Sequence, residues 1–198
     1  MGVEERRLIE RASRGDIDAF SKLVQQHSRL VDRVAIRVLG AEDAQDASQE
    51  VWIRVWGNIK NFRGKSAFST WLYRIATNTC LSVLWKKQAR EARELGEETP
   101  YPPEPSGDDA DPEAAALKAE RRGEIQVALH TVRAEHRAAM VLRHMEGLSY
   151  AEIAEVLGVP GGTAKGWASR GRAAMLVALT EENHGRRPDA EETAAGRP

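Results

Sequence analysis

The chain has 198 residues, a formal net charge of −1 and a single cysteine, Cys80. One thiol excludes an intramolecular disulfide framework and an all-cysteine metal cluster, and no apolar run reaches the roughly 18 residues that a membrane span needs. The near-neutral total hides a segregation: residues 1–90 carry 16 basic and ten acidic side chains, residues 91–113 one and nine, and residues 114–180 nine and six. Two basic segments joined by an acidic one suit two anion-binding modules on an acidic tether, although solvated helix faces would give the same counts.

The amino terminus, MGVEERRLIERASRGD, has no apolar run behind its charges and reads as neither a signal peptide nor an anchor. A soluble, cytoplasmic protein is expected, with no membrane insertion. Strand signals are nearly absent. Phe20, Leu23, Val24, His27, Val31, Val34 and Val38 recur at helical steps, and Gly40 stands where a C-cap glycine would end that long helix. A second helix carries Ala44, Ala47, Val51, Val55 and Ile59 on one face. Glu42, Asp43, Asp46 and Glu50 fill its first turns and Arg54 and Lys60 its end, an order that suits the helix dipole. After a polar loop, Ser66 stands as a possible cap for a third helix along which Phe68, Trp71, Leu72, Ile75, Thr79 and Val83 repeat. Trp71, Leu72 and Ile75 read as core residues by this spacing.

Residues 97–112 hold five prolines among acids and read as an extended linker. Helical character returns near Ala114. Leu117, Ile125, Leu129 and Val132 fit one helix, and Ala138, Val141, Leu142 and Met145 the next. Then comes GLSYAEIAEVLGVP, residues 147–160. Ser149 and Glu152 have capping-box spacing, Ile153, Ala154 and Leu157 make the inner face of a short helix, Gly158 permits a sharp turn, and Pro160 preorganises the helix that follows. That next helix has Ala164, Ala168, Gly171 and Met175 on a face of mostly small residues and Lys165, Ser169, Arg170 and Arg172 on the other. The pattern is a helix-turn-helix whose basic second helix suits the major groove; an ordinary helix pair with a solvated basic face is the plainer alternative. The tail after Thr180 is polar.

The stretch HRAAMVLRHMEGLSYAEIAEVLGVPGGTAKGWASRGRAAM, residues 136–175, resembles region four of extracytoplasmic-function (ECF) sigma factors of the sigma-70 family. AEDAQDASQEVWIRVWGNIKNFRGKSAFSTWLYRIATN, residues 41–78, resembles region two of the same family more specifically, through its acidic cluster, its FRG-S-F loop and its TWLYRIA-N helix. The resemblance covers residues 15–92 and 114–179. It implies an all-α protein of two small helical domains: region two over 1–92, an acidic Pro-rich linker over 93–113, region four over 114–180, and a tail over 181–198.

By this resemblance the chain docks on the largest subunits of core RNA polymerase through Asp43, Asp46, Gln49, Glu50, Trp52 and Arg54. It captures melted nontemplate strand at the minus-ten element through Lys60, Asn61, Phe62, Arg63, Lys65, Ser66, Arg74 and Asn78. It reads the duplex minus-thirty-five element through Thr163, Lys165, Gly166, Trp167, Ser169, Arg170 and Arg172. Exposed bases stacked on aromatics with cations on phosphates make physical sense of the second group, while a packed staple under the loop is the other reading of Phe62. Gly166 and Trp167 depart from the family, which often has serine and commonly has arginine there. Val132-Arg133 replaces the family's Leu-Pro, which implies a looser start to the following helix. Many family members are held by an anti-sigma factor. The linker suits either a nucleic-acid mimic in the polymerase channel or a spacer.

Two other classes compete. A stand-alone helix-turn-helix regulator would need a dimer interface, and no heptad run supplies one; it also leaves the FRG-S-F-TWLYRIA-N segment unused. An enzyme finds little support: the five histidines, 27, 130, 136, 144 and 184, complete no metal site, and no phosphate or nucleophile motif is present. No catalytic residue, metal or cofactor is expected. Cys80 reads as a small packed residue.

Overall fold

The computed structural model describes residues 2–94 and 123–185. In chain order they form α1 (Val3–Ser13), α2 (Ile17–Leu39), α3 (Ala41–Asn58), a 3-10 turn (Ile59–Asn61), α4 (Phe68–Glu94), α5 (residues 123–131), α6 (Ala134–Met140), a π turn (Val141–Met145), α7 (Tyr150–Leu157) and α8 (Gly161–Gly185). No strand occurs among the described residues. The proline-rich segment and the end of the tail lie outside them.

In the amino-terminal half the apolar periodicity becomes a three-helix core. Leu23, Val31, Val34 and Val38 of α2 are fully buried against Val51 and Val55 of α3 and Phe68 and Leu72 of α4. Each such side chain contributes about 1.5–3 kcal/mol on burial. Asp16 caps α2 by accepting from Ala19 N at 2.9 Å and also binds Arg11 Nε at 2.8 Å. That amide and that guanidinium hold its carboxyl below the usual value. Gly40 turns the chain from α2 into α3 at φ +93°, and a Cβ there would stand 2.8 Å from the His130 ring. The periodicity missed α1, whose Leu8, Ile9 and Ala12 are buried. Ser66 is not the cap of α4: the first helical bond runs from Trp71 N to Ala67 O, so Ala67 holds that place.

The carboxy-terminal half is built on close crossing of α6 and α8. A Cβ on Gly171 would meet the His136 carbonyl and stand 2.9 Å from Met140 Cβ, so only glycine fits there. Ala164 and Ala168 are fully buried on the same side. The capping box forms: Glu152 N donates to Ser149 Oγ at 3.2 Å, and Ser149 N donates to Glu152 Oε2 at 2.8 Å. Gly158 ends α7 in the left-handed region, φ +67°. The buried residues of α7 are Ile153 and Val156, whereas Ala154 and Leu157 are only half-buried; the helix is so short that one residue of rotation exchanges them. The start of α6 is not loose. Arg137, 5% exposed, donates to the carbonyls of His130 and Val132 just upstream at 3.0–3.3 Å, and Arg137 N bonds Arg133 O at 2.8 Å. Burial lowers its guanidinium to about 10, still cationic at neutral pH.

The two halves pack on each other. Glu146, its side chain 1% exposed, accepts from Arg33 at 2.8 and 3.1 Å, from Tyr73 Oη at 2.7 Å and from Arg37. Arg137 Nη1 donates to Val38 O at 2.6 Å, and Gln126 Nε2 to Ile36 O at 2.5 Å. Buried residues of α2, α3 and α4 are continuous with those of α6, α7 and α8.

Candidate nucleic-acid interface

Six of the sequence-predicted residues lie on α3. Asp46 and Gln49 are exposed. Asp43 is half-buried and accepts from Lys87 Nζ at 3.0 Å, so α4 supplies a cation as well as the helix dipole. Glu50 and Arg54 pair at 2.7 Å across one turn, a surface contact worth at most about 0.5 kcal/mol. Trp52 is half-buried, its ring edge-on to Phe20 at 6.1 Å. Beside it Trp56 lies 4.8 Å from Phe20, and Ile53 is 66% exposed. Sequence reasoning passed over these two. The spacing Trp52-Trp56, one helical turn, was the signal for a shared aromatic face.

Between α3 and α4 lies an open cavity of about 310 Å³. Arg54 and Asn58 of α3, Asn61 of the 3-10 turn, and Arg74 and Asn78 of α4 form its polar wall; Trp71 and Ile75 form its apolar wall. Thr79 lines it too, and its Oγ1 is buried without a hydrogen-bond partner. An unpaired buried hydroxyl costs about 1–3 kcal/mol. Leu72 is fully buried, while Trp71 and Ile75 are half-buried, packed against the core and bordering the cavity as well. They occupy the α4 positions that face α3 across the cavity, which apolar spacing does not distinguish from the core. Phe62 is elsewhere. Its ring packs 5.5 Å from Phe68 and 5.4 Å from Trp71, at the edge of the core. Lys60, Arg63 and Lys65 are exposed on the loop around it, Ser66 is half-buried, and Gly64 takes φ +67°. The structure thus brings Arg54, Asn61, Arg74 and Asn78 together and adds Asn58 and Thr79, which the sequence did not single out.

On α8, Lys165, Ser169, Arg170 and Arg172 are exposed, and Thr163, Gly166 and Trp167 are half-buried. Trp167 leans toward α6, with ring centroids of Trp167 and His136 6.3 Å apart. Arg133, Glu135, His136, Trp167 and Arg170 line an open cavity of about 440 Å³. Arg170 Nε donates to His136 Nε2 at 3.3 Å.

The family described as Sigma-70 region 2 matches residues 23–91, and Sigma-70, region 4 matches residues 122–175. The RNA polymerase sigma-H factor of Pseudomonas aeruginosa is 36% identical over 184 residues, covering 89% of this chain and 94% of that one. The ECF RNA polymerase sigma-E factor of Haemophilus influenzae is 36% identical over 174 residues, 86% and 92% of the two chains. The chain belongs to the ECF sigma factors of the sigma-70 family.

This sigma factor, 35% identical to ECF sigma factor SigW of Bacillus subtilis over 87% of its length and 95% of that protein, is an RNA polymerase specificity factor rather than a stand-alone regulator. Its fold is shared with solved structures. Sigma factor RpoE of Bartonella quintana, solved with the anti-sigma factor NepR, superposes at a TM-score of 0.65 with 21% identity over 81% of this chain and 96% of that one. CnrH, solved with the cytosolic domain of CnrY, superposes at 0.61 with 23% identity over 90% and 99%. The region-two match begins inside α2, yet α1 packs into the same core.

Proposed function

We propose that this sigma factor acts in the cytoplasm as a non-enzymatic, dissociable subunit that brings core polymerase to promoters in two contacts. Residues 1–92 serve core docking and the minus-ten element, residues 114–180 the minus-thirty-five element, with 93–113 as a linker and 181–198 as a tail. Core polymerase docks on α3 through Asp43, Asp46, Gln49, Glu50 and Trp52. The apolar surface of Ile53 and Trp56 extends that patch. Lys60, Arg63, Lys65 and Ser66 follow the phosphates of the melted nontemplate strand.

The observation that carries this reading is the cavity between α3 and α4. A flipped base needs an apolar wall, hydrogen-bonding groups for its edge and cations for the flanking phosphates. Trp71 and Ile75 give the wall; Asn61 and Asn78 give edge partners; Arg54 and Arg74 give the charge. Arg54 therefore joins the strand-binding group, and Phe62 supports the pocket through its packing on Trp71. In the other half, Thr163, Lys165, Ser169, Arg170 and Arg172 present donors and cations to a major groove, with Gly166 and Trp167 between them. An anti-sigma factor, as solved with sigma factor RpoE of Bartonella quintana, fits as a further partner.

Permanganate reactivity of the melted strand tests the cavity. Asn78→Ala combined with Arg54→Ala should leave the holoenzyme assembled and reduce reactive thymines in the nontemplate strand at least about tenfold. Wild-type reactivity in that variant would defeat the cavity assignment. Lys165→Ala with Arg170→Ala should instead shorten the upstream footprint, and an unchanged footprint would defeat the recognition helix.

A further inference from the structure

Arginine is a donor only, so the bond from Arg170 Nε to His136 Nε2 fixes the chemistry of its partner. His136 Nε2 must carry the lone pair. A neutral imidazole with its proton on Nδ1 meets that requirement. On its other side the guanidinium of Arg170 lies over the backbone of Gly166. A Cβ at Gly166 would stand 3.4 Å from both Nη1 and Nη2, in van der Waals contact, so the guanidinium rests against the side of the helix that Gly166 leaves bare. The ring of Trp167 closes the same cavity 6.3 Å from His136. Arg170 is thus held at Nε, with its two Nη groups left as donors along an exposed helix face. A pair of arginine donors is what reads the O6 and N7 of guanine in a major groove.

We propose that His136 is a positioning residue for promoter reading: its neutral imidazole holds the Arg170 guanidinium in the space that Gly166 leaves open, so protonation of His136 relaxes upstream-element discrimination. The inference rests on α8 being the recognition helix. It departs from a plain phosphate role for Arg170, in which an added positive charge nearby would tighten binding to any sequence. Protonated His136 offers no acceptor and sets a second cation against Arg170. The groups facing the imidazole are Arg170 from α8 and Arg133 and Glu135 beside it at the start of α6. Burial first, then Arg170 and Arg133, lower the imidazole below its ordinary value, and Glu135 opposes them. The neutral form therefore prevails at pH 7 and above, and the switch falls on the acid side of the usual histidine range.

The test uses full-length chain assembled with core polymerase, on paired templates from a promoter that depends on this chain. One template keeps the upstream element and the other has it scrambled. The readout is the ratio of open complex between the two, at about pH 7.5 and about pH 5.5, which cancels general effects of pH on the polymerase. Wild type should lose about five- to tenfold in this ratio at the lower pH. His136→Gln, whose Oε1 accepts and does not titrate, should keep the high ratio at both pH values. His136→Ala should give a low ratio at both. Wild-type pH dependence in His136→Gln, or a wild-type ratio in His136→Ala, overturns the proposal. Arg170→Ala separates the two levels. A lowered ratio there beside an unaffected His136→Ala refutes the positioning role alone, and an unchanged ratio in Arg170→Ala refutes the recognition reading and the proposal with it.

Discussion

Glu146 is a carboxylate with 1% of its side chain exposed, ringed by Arg33, Arg37 and the Tyr73 hydroxyl. Burial alone would raise its pKa, but the hydrogen bonds from Arg33 and Tyr73 and the charges of Arg33 and Arg37 outweigh it, leaving the group below its ordinary value. A carboxyl with a depressed folded value contributes stability above its unfolded value, near 4.5, and loses it as pH falls through the folded value. Thermal midpoints should therefore drop below about pH 4.5 in wild type. Glu146→Gln should melt lower at neutral pH, by about 1–3 kcal/mol, and show a flatter acid limb. Equal acid limbs in the two proteins would show that Glu146 does not set the acid sensitivity. None of this was legible in the sequence, because Glu146 meets partners 73, 109 and 113 residues away. Asn78, by contrast, lines the α3–α4 cavity, and the family resemblance of its helix had pointed to it. The cavity partners Asn58 and Thr79 were not legible as such: Asn58 belongs to no apolar repeat, and Thr79 stands within the apolar repeat of α4, which reads as core. Phe62→Ala should cost about 1–3 kcal/mol of stability in denaturant titrations, since its ring packs on Phe68 and Trp71. Asn78→Ala, exposed on α4, should cost less than about 0.5 kcal/mol.

At the scale of the element, the long periods of α2 and α3 and the turn chemistry of α7 were readable before any coordinates. The Ser149–Glu152 box, Gly158 and Gly171 each behave as local physics requires. α1 was missed because 11 residues dominated by charge give only a short buried stripe. The π turn at Val141–Met145 was also missed. It continues α6 with one wider turn, which leaves Val141 and Leu142 buried and carries the chain to Glu146. Removing one hydroxyl at a cap costs about 1 kcal/mol, so Ser149→Ala should lower the unfolding free energy by that amount while keeping the fold. Gly171→Leu should do far more, because the α6 backbone stands where its side chain must go. Loss of the cooperative helical transition by circular dichroism is expected for Gly171→Leu, and a wild-type melt would show that α6 and α8 do not cross as described.

Across the whole molecule, the two regions were foreseen as separate helical units, and their mutual packing was not. Charge segregation pointed to modules on a tether, and it does not report that Arg33 and Arg37 of the first half would hold an acid of the second. Because the buried residues run continuously from α2 to α8, the two halves should unfold in one calorimetric transition; two resolved transitions would mean the halves are energetically independent. In the proposed function, two weak promoter contacts act together because one polymerase carries both. The measurement that tests it most directly is reconstitution of the full chain with bacterial core polymerase on a pool of genomic fragments, with transcript starts mapped. Discrete starts that need this chain and share two upstream elements at fixed spacing are the expected result. Binding to duplex DNA without any binding to core polymerase, and no chain-dependent starts, would contradict it.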